Sequence, residues 1–236
     1  MKRIYFPLAI LAAALNINSA VAADSVDVKV IGTIVPVACT PSLLGGGTFD
    51  YGTIVTSTLS PDSYTTLPEK RLDFSITCEA PTFVGLRVSD AQASSAVAMP
   101  KTLNFTFNRG ATANLINGLG LTSEGKLIGN YQAILNTTKA IIDGQPHPLN
   151  TLISKDSGGS WSDLELVTNL SGPWVAGNQT VLSWRSTEGG GNTPLKFTTF
   201  SAPLALQANI NKVSELGNVS QAIHLNGQMS IELFYL

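Results

Sequence analysis

Two cysteines, two histidines, three tryptophans and a carboxylate pair are the side chains of this 236-residue chain whose types and spacing admit chemistry. Cys39 and Cys78 lack the C-x-x-C spacing of a redox motif or zinc site, and an isolated pair in an exported chain reads as one disulfide. Closing a loop of about 40 residues stabilises by roughly 4 kcal/mol in the chain-entropy model. Trp161, Trp174 and Trp184 fall in one region. Exposed indole faces stack on sugars or cations, which makes the three a candidate sugar platform; packed into a core or under a loop they have no such role. Asp163 and Glu165 are two apart and share a face on a strand. Paired carboxylates run glycoside hydrolysis, but no cleft is marked around these two and they read as a solvated face. His147 lies between prolines and His224 on a polar strand face, neither beside an acid-rich cluster, so neither metal ligation nor a triad is indicated. No G-x-S-x-G, H-E-x-x-H or P-loop pattern occurs. The expectation is a protein that is not an enzyme and carries no cofactor and no metal.

The first residues are an address. Met1-Lys2-Arg3 is a basic start, Ile4 to Leu15 is an uncharged and largely apolar run, and Ala20-Val21-Ala22 is an A-x-A cleavage site. Residues 1–22 therefore read as a signal peptide, with the mature chain at 23–236. The apolar run is too short for a bilayer, which needs about 20 residues, and no later stretch spans, so no membrane span is expected in the mature protein. Without Lys2 and Arg3 the mature chain has 12 basic and 16 acidic residues, a formal charge of −4. A weakly acidic chain without basic clusters excludes nucleic acid as a partner. Charged residues are only 13% of the chain; Ser, Thr, Asn and Gly stand in for them, the profile of an extracellular β-protein with many turns.

The elements that must position these residues are strands. From Ile223 to Leu236 the chain reads IHLNGQMSIELFYL, with Ile223, Leu225, Gly227, Met229, Ile231, Leu233 and Tyr235 in one series and a second series that is polar from His224 to Glu232, with Phe234 the exception before the terminal Leu236. Alternation of period two predicts a strand with one apolar face. A strand at the chain end must pair with something, or it frays. Upstream, Val26, Val28 and Val30 alternate with Asp27 and Lys29. Phe49 to Ile54 predicts a short strand. Leu72–Cys78 and Val84–Val88 predict two strands with a turn at Pro81, and Ser123–Lys126 and Asp143-Gly144 predict turns. Many short strands between turns indicate an all-β antiparallel sandwich with enlarged loops, in one elaborated domain.

Six segments then align with a known pattern: VKVIGTIVPVACTP (28–41), FDYGTI (49–54), LDFSITCEAP (72–81), FVGLRVSD (83–90), GLGLTSEGKLI (118–128) and GQMSIELFYL (227–236). The chain resembles subunits of chaperone–usher fimbriae, the pilin-like proteins of Gram-negative bacteria, and is most similar to fimbrial-like exported proteins of unassigned function. The likeness covers the first 65 mature residues and the terminal strand; residues 136–200 match nothing in it. It implies an incomplete Ig-like sandwich whose groove accepts a strand from a periplasmic chaperone and then from another subunit, a form of β-augmentation. It also implies an outer-membrane usher as partner and a place in the periplasm or in a surface fimbrium that serves cell adhesion. Carried over residue by residue, it implies the Cys39–Cys78 disulfide and a partner-binding strand at Gly227, Met229, Ile231, Leu233, Tyr235 and Leu236, with the Leu236 carboxylate as an anchor. The family's glycine fourteen residues from the end is replaced by Ile223. Val26, Val28 and Val30 are either a donor strand for a neighbour or this domain's own first strand. The alternative to a polymerising subunit is a self-completed β-sandwich that binds a glycan or peptide through the tryptophans.

Overall fold

In the computed structural model the long strand Lys70–Asp90 joins two sheets that face each other. The described residues are 27–35, 37–98, 103–104, 109–111, 116–164, 168–169, 180–188 and 190–236. The strands are β1 (Cys39–Leu43), β2 (Thr65–Thr66), β3 (Lys70–Asp90), β4 (Leu103–Asn104), β5 (Arg109–Ala111), β6 (Asn117–Gly118), β7 (Gly129–Leu135) and β8 (Ile141–Ile142). They continue with β9 (Gln145–Pro146), β10 (Leu149–Ser154), β11 (Ser162–Asp163), β12 (Thr168–Asn169), β13 (Val181–Ser186), β14 (Lys196–Ile210) and β15 (Met229–Tyr235). No α-helix occurs among the described residues, and every ladder between strands is antiparallel. Pro36–Leu236 is one compact unit and Met1–Val35 another.

The first half of β3 lies between β1 and β14, and β14 continues the sheet to β7. The second half pairs with β15 and, at Leu86, with β13, which leads on to β10 and β11. A strand that serves both sheets fixes how they stack. Their inner faces meet at Trp184 of β13 and Phe200 of β14, whose rings stack with centroids 4.3 Å apart and planes 15° apart. Phe74 meets Phe200 edge-on at 6.2 Å. These rings are almost fully buried, and together they supply the largest apolar area of the core. The sheets and the sandwich are therefore as the alternation predicts, with the Cys39–Cys78 disulfide formed.

Four local expectations are corrected. Leu72–Cys78 and Val84–Val88 are one strand, because Pro81 lies between the segments that bond to different neighbours and its missing N–H breaks no rung. Phe49–Ile54 joins no ladder and turns at Gly52, which has φ +62° and bonds its N–H to Asp50 Oδ1 at 2.7 Å; it crosses β14, where the Tyr51 hydroxyl contacts the Leu206 carbonyl at 3.4 Å and the Ala208 N–H at 3.3 Å. The terminal strand covers Met229–Tyr235 only. Upstream of it β3 has ended at Asp90, and the rung from the Ala91 N–H to the Gln228 carbonyl is the last, so Ile223, Leu225 and Gly227 alternate without a ladder. Residues 27–35 carry no strand, and Val28 and Val30 are exposed; Val26 lies outside the described residues.

Candidate functional site

An open groove of about 1110 Å³ lies between β1 and β15. Its floor is the inner face of the β14 sheet, with Phe74, Tyr131, Leu204 and Leu206 among the lining side chains. One wall is the segment Phe49–Val55, and the other is Ile223–Ile231. The polar lining is neutral where it is buried: burial pushes the Tyr51 hydroxyl up to about 12 and raises that of Tyr131 further. An apolar trough is left because β15 is the last strand of its sheet among the described residues while the sheet opposite continues beneath it. Met229, Ile231 and Leu233 point inward yet remain only half-buried.

The two strands that border the groove do not offer equal edges. Hydrogen-bonded pairs recur every second residue in an antiparallel ladder. In the β3–β15 ladder the rungs at Gln228–Ala91 and Leu236–Phe83 fix the phase. The N–H groups of Ser230, Glu232 and Phe234 therefore face β3, and those of Met229, Ile231, Leu233 and Tyr235 face the open side. In the β1–β3 ladder the bond from the Glu79 N–H to the Ala38 carbonyl sets the phase. Cys39 and Cys78 then form a non-hydrogen-bonded pair, the kind whose side chains approach most closely, and the Cys39 N–H faces outward. The Tyr235 hydroxyl takes that N–H at 2.9 Å. The next outward position on β1 is Pro41, which has no N–H. The edge of β1 is thus capped at one place and donor-free at the next, while β15 presents a run of donors and acceptors over an apolar floor. Such an edge is a template for another strand.

Gly227 sits directly over the floor: a Cβ there would lie 2.7 Å from Tyr131 Cε1 and 3.2 Å from Leu119 Cδ2. A side chain would collide with the ring, so the glycine lets the chain descend onto the groove.

The structure brings together Gly227, Met229, Ile231, Leu233 and Tyr235 as groove wall and edge. The tryptophans do not form one surface. Trp184 is 1% exposed and stacked in the core, so it is removed from any sugar platform. Trp161 is half-buried at a loop, and Trp174 lies outside the described residues. Asp163 is held by the Arg185 guanidinium through contacts of 2.7 and 2.6 Å, which depress its carboxyl below the usual range; Glu165 lies outside the described residues. His224 is exposed at the groove rim. Sequence reasoning did not find the floor residue Tyr131 or the wall at Phe49–Val55, because both lie far from β15 in sequence.

A family model described as "Protein of unknown function (DUF1120)" matches residues 28–132, a span that holds β1, β3 and Tyr131 but stops before β15. Two proteins of Escherichia coli (strain K12) are similar over most of their length. The uncharacterized protein YhcF is 27% identical over 226 residues, which cover 92% of this chain and 93% of that protein. Protein GltF is 28% identical over 235 residues, 92% of each. No solved structure matches this chain.

Proposed function

We propose that this chain is a non-enzymatic, exported subunit of the fimbrial type, which accepts a β-strand from a partner along β15. The observation that carries the reading is the β15 edge itself: outward N–H groups at Ile231 and Leu233 above a half-covered apolar trough. A strand laid there completes the ladder with its backbone and covers the floor with alternate side chains. Its sources are a periplasmic chaperone first and another subunit afterwards, delivered through an outer-membrane usher to the cell surface. The exposed alternation at Val28 and Val30, with no strand across residues 27–35, supports a donor role for the N-terminal segment toward a neighbouring copy.

The test uses the mature chain and a synthetic peptide of residues 24–35. Saturating peptide at about 100 times its Kd should stabilise by about 2.7 kcal/mol, seen as a rise in Tm. A peptide with Val26, Val28 and Val30 changed to Asp should not. Equal Tm with either peptide and without any, in a chain whose Ile231 and Leu233 amides are already protected, would sink the reading.

A further inference from the structure

Phe234 breaks the polar outer series of β15, and the loop after β10 shows why. The series mates Ser230 and Glu232 are exposed, but Phe234 is half-buried. The Arg87 guanidinium lies over its ring, 4.0 Å from the centroid, and donates from Nη2 to Ser157 Oγ at 3.1 Å. The loop that carries Ser157 is tied by its own side chains. The Asp156 carboxylate accepts from Ser154 Oγ at 2.6 Å, Ser160 N at 2.9 Å and Ser160 Oγ at 2.7 Å. Ser154 Oγ accepts from the Gly158 N–H at 2.8 Å. These bonds bring Gly158 against the chain end, where a Cβ would stand 2.9 Å from Leu236 Cδ2, 3.8 Å from Phe234 Cε1 and 3.7 Å from Trp161 Cζ2. Gly158 also has φ +93°, a conformation that side chains resist.

We propose that the loop Ser154–Trp161 is a clasp that seats Phe234 and Leu236 and so holds the end of β15 in one register while its open edge pairs with a partner strand. The proposal rests on the strand-accepting reading above and gives a role to a segment that the pilin-like pattern leaves unmatched. A two-sided strand needs a fixed register, because a slip of one residue would turn Ile231 and Leu233 away from the groove. The rung from the Leu236 N–H to the Phe83 carbonyl, at 3.4 Å, is the last point at which that register is set, and terminal rungs open first unless side chains pin them. The clasp supplies the pins: an aliphatic chain against Gly158 and an aromatic ring under Arg87.

Amide exchange of the full mature chain tests this. Gly158→Ala should speed exchange at Phe234 and Leu236 by about tenfold and leave Leu152 and Ile153 unchanged. In a Leu236→Ala background, where Cδ2 is gone but the φ +93° strain at Gly158 remains, the same substitution should add less than it does in the wild type. Gly158→Ala should also weaken binding of the residue 24–35 peptide by about fivefold or more, since the edge must be re-ordered on binding. Identical Leu236 exchange in the wild type and in Gly158→Ala overturns the clasp, and so does faster exchange with unchanged peptide affinity. If the wild type binds no peptide, the strand-accepting reading falls, and the exchange rates alone decide the clasp.

Discussion

Tyr235 shows how much one hydroxyl can organise at a chain end. It lies on β15, but its partner is the Cys39 N–H on β1, so it closes one end of the groove across the two strands. Alternation places Tyr235 in the inward series; only the phase of the β1 ladder shows that Cys39 has an N–H to give. Tyr235→Phe keeps the ring and removes the bond. A neutral hydrogen bond contributes about 1 kcal/mol net, so Tm should fall by roughly 2–4 °C, measured by calorimetry. No fall would mean that water replaces the hydroxyl without loss. Gly227 and Trp184 make the same point in opposite directions. A glycine in an apolar series reads as a weak position, yet here a ring lies where its side chain would be. A tryptophan in a polar, poorly patterned region reads either as a ligand platform or as a packing residue, and Trp184 is stacked at the centre of the core.

At the scale of elements, the decisive contrast is between β1 and β15. Both border the groove, and both pair only with β3 among the described residues. Pro41 and the Tyr235 bond leave β1 few outward donors, whereas β15 keeps a row of them. In the unbound chain, hydrogen exchange should alternate along β15: slow at Ser230, Glu232 and Phe234, and faster at Ile231 and Leu233. Rates should differ by about tenfold or more, since only the first set is bonded in the ladder. Uniform protection would mean that β15 already has a second neighbour. The alternation of Ile223–Leu236 predicts this face correctly but overstates the ladder, because a strand can extend only as far as β3 runs beside it. Phe49–Ile54 fails as a strand for a local reason: Gly52 has φ +62°, which turns the chain and interrupts the alternation.

Across the whole molecule, the two sheets, the disulfide and the C-terminal clasp are coupled through β3, which carries Cys78 in its first half and Arg87 in its second. The clasp has its own pH signature. Hydrogen bonds from Ser154 and then Ser160 lower the Asp156 carboxyl from its ordinary value of 3.8 to about 2. A carboxyl whose folded pKa is depressed contributes stability that is present above its ordinary pKa and lost as the pH falls toward the folded value. Order at the chain end should therefore be constant at neutral pH and weaken between about pH 4 and pH 2. The Leu236 amide reports it, and Asp156→Asn should abolish the dependence. An unchanged profile in Asp156→Asn would detach the loop's hydrogen bonds from the chain end.

Sequence by itself determined the strand class, the sandwich, the inward face of the terminal strand and the cysteine pairing. Each of these follows from local periodicity, or from two cysteines that have only each other. The floor of the groove, the burial of Trp184 and the seat of Phe234 were decided by tertiary structure. They depend on which distant strands become neighbours: Tyr131 under Gly227, Phe200 on Trp184, and Arg87 with the Ser154–Trp161 loop around Phe234. Period-two alternation says which way a side chain points, but not whether a strand, a loop or solvent stands in front of it. At β15 that difference separates a finished sheet from an open edge.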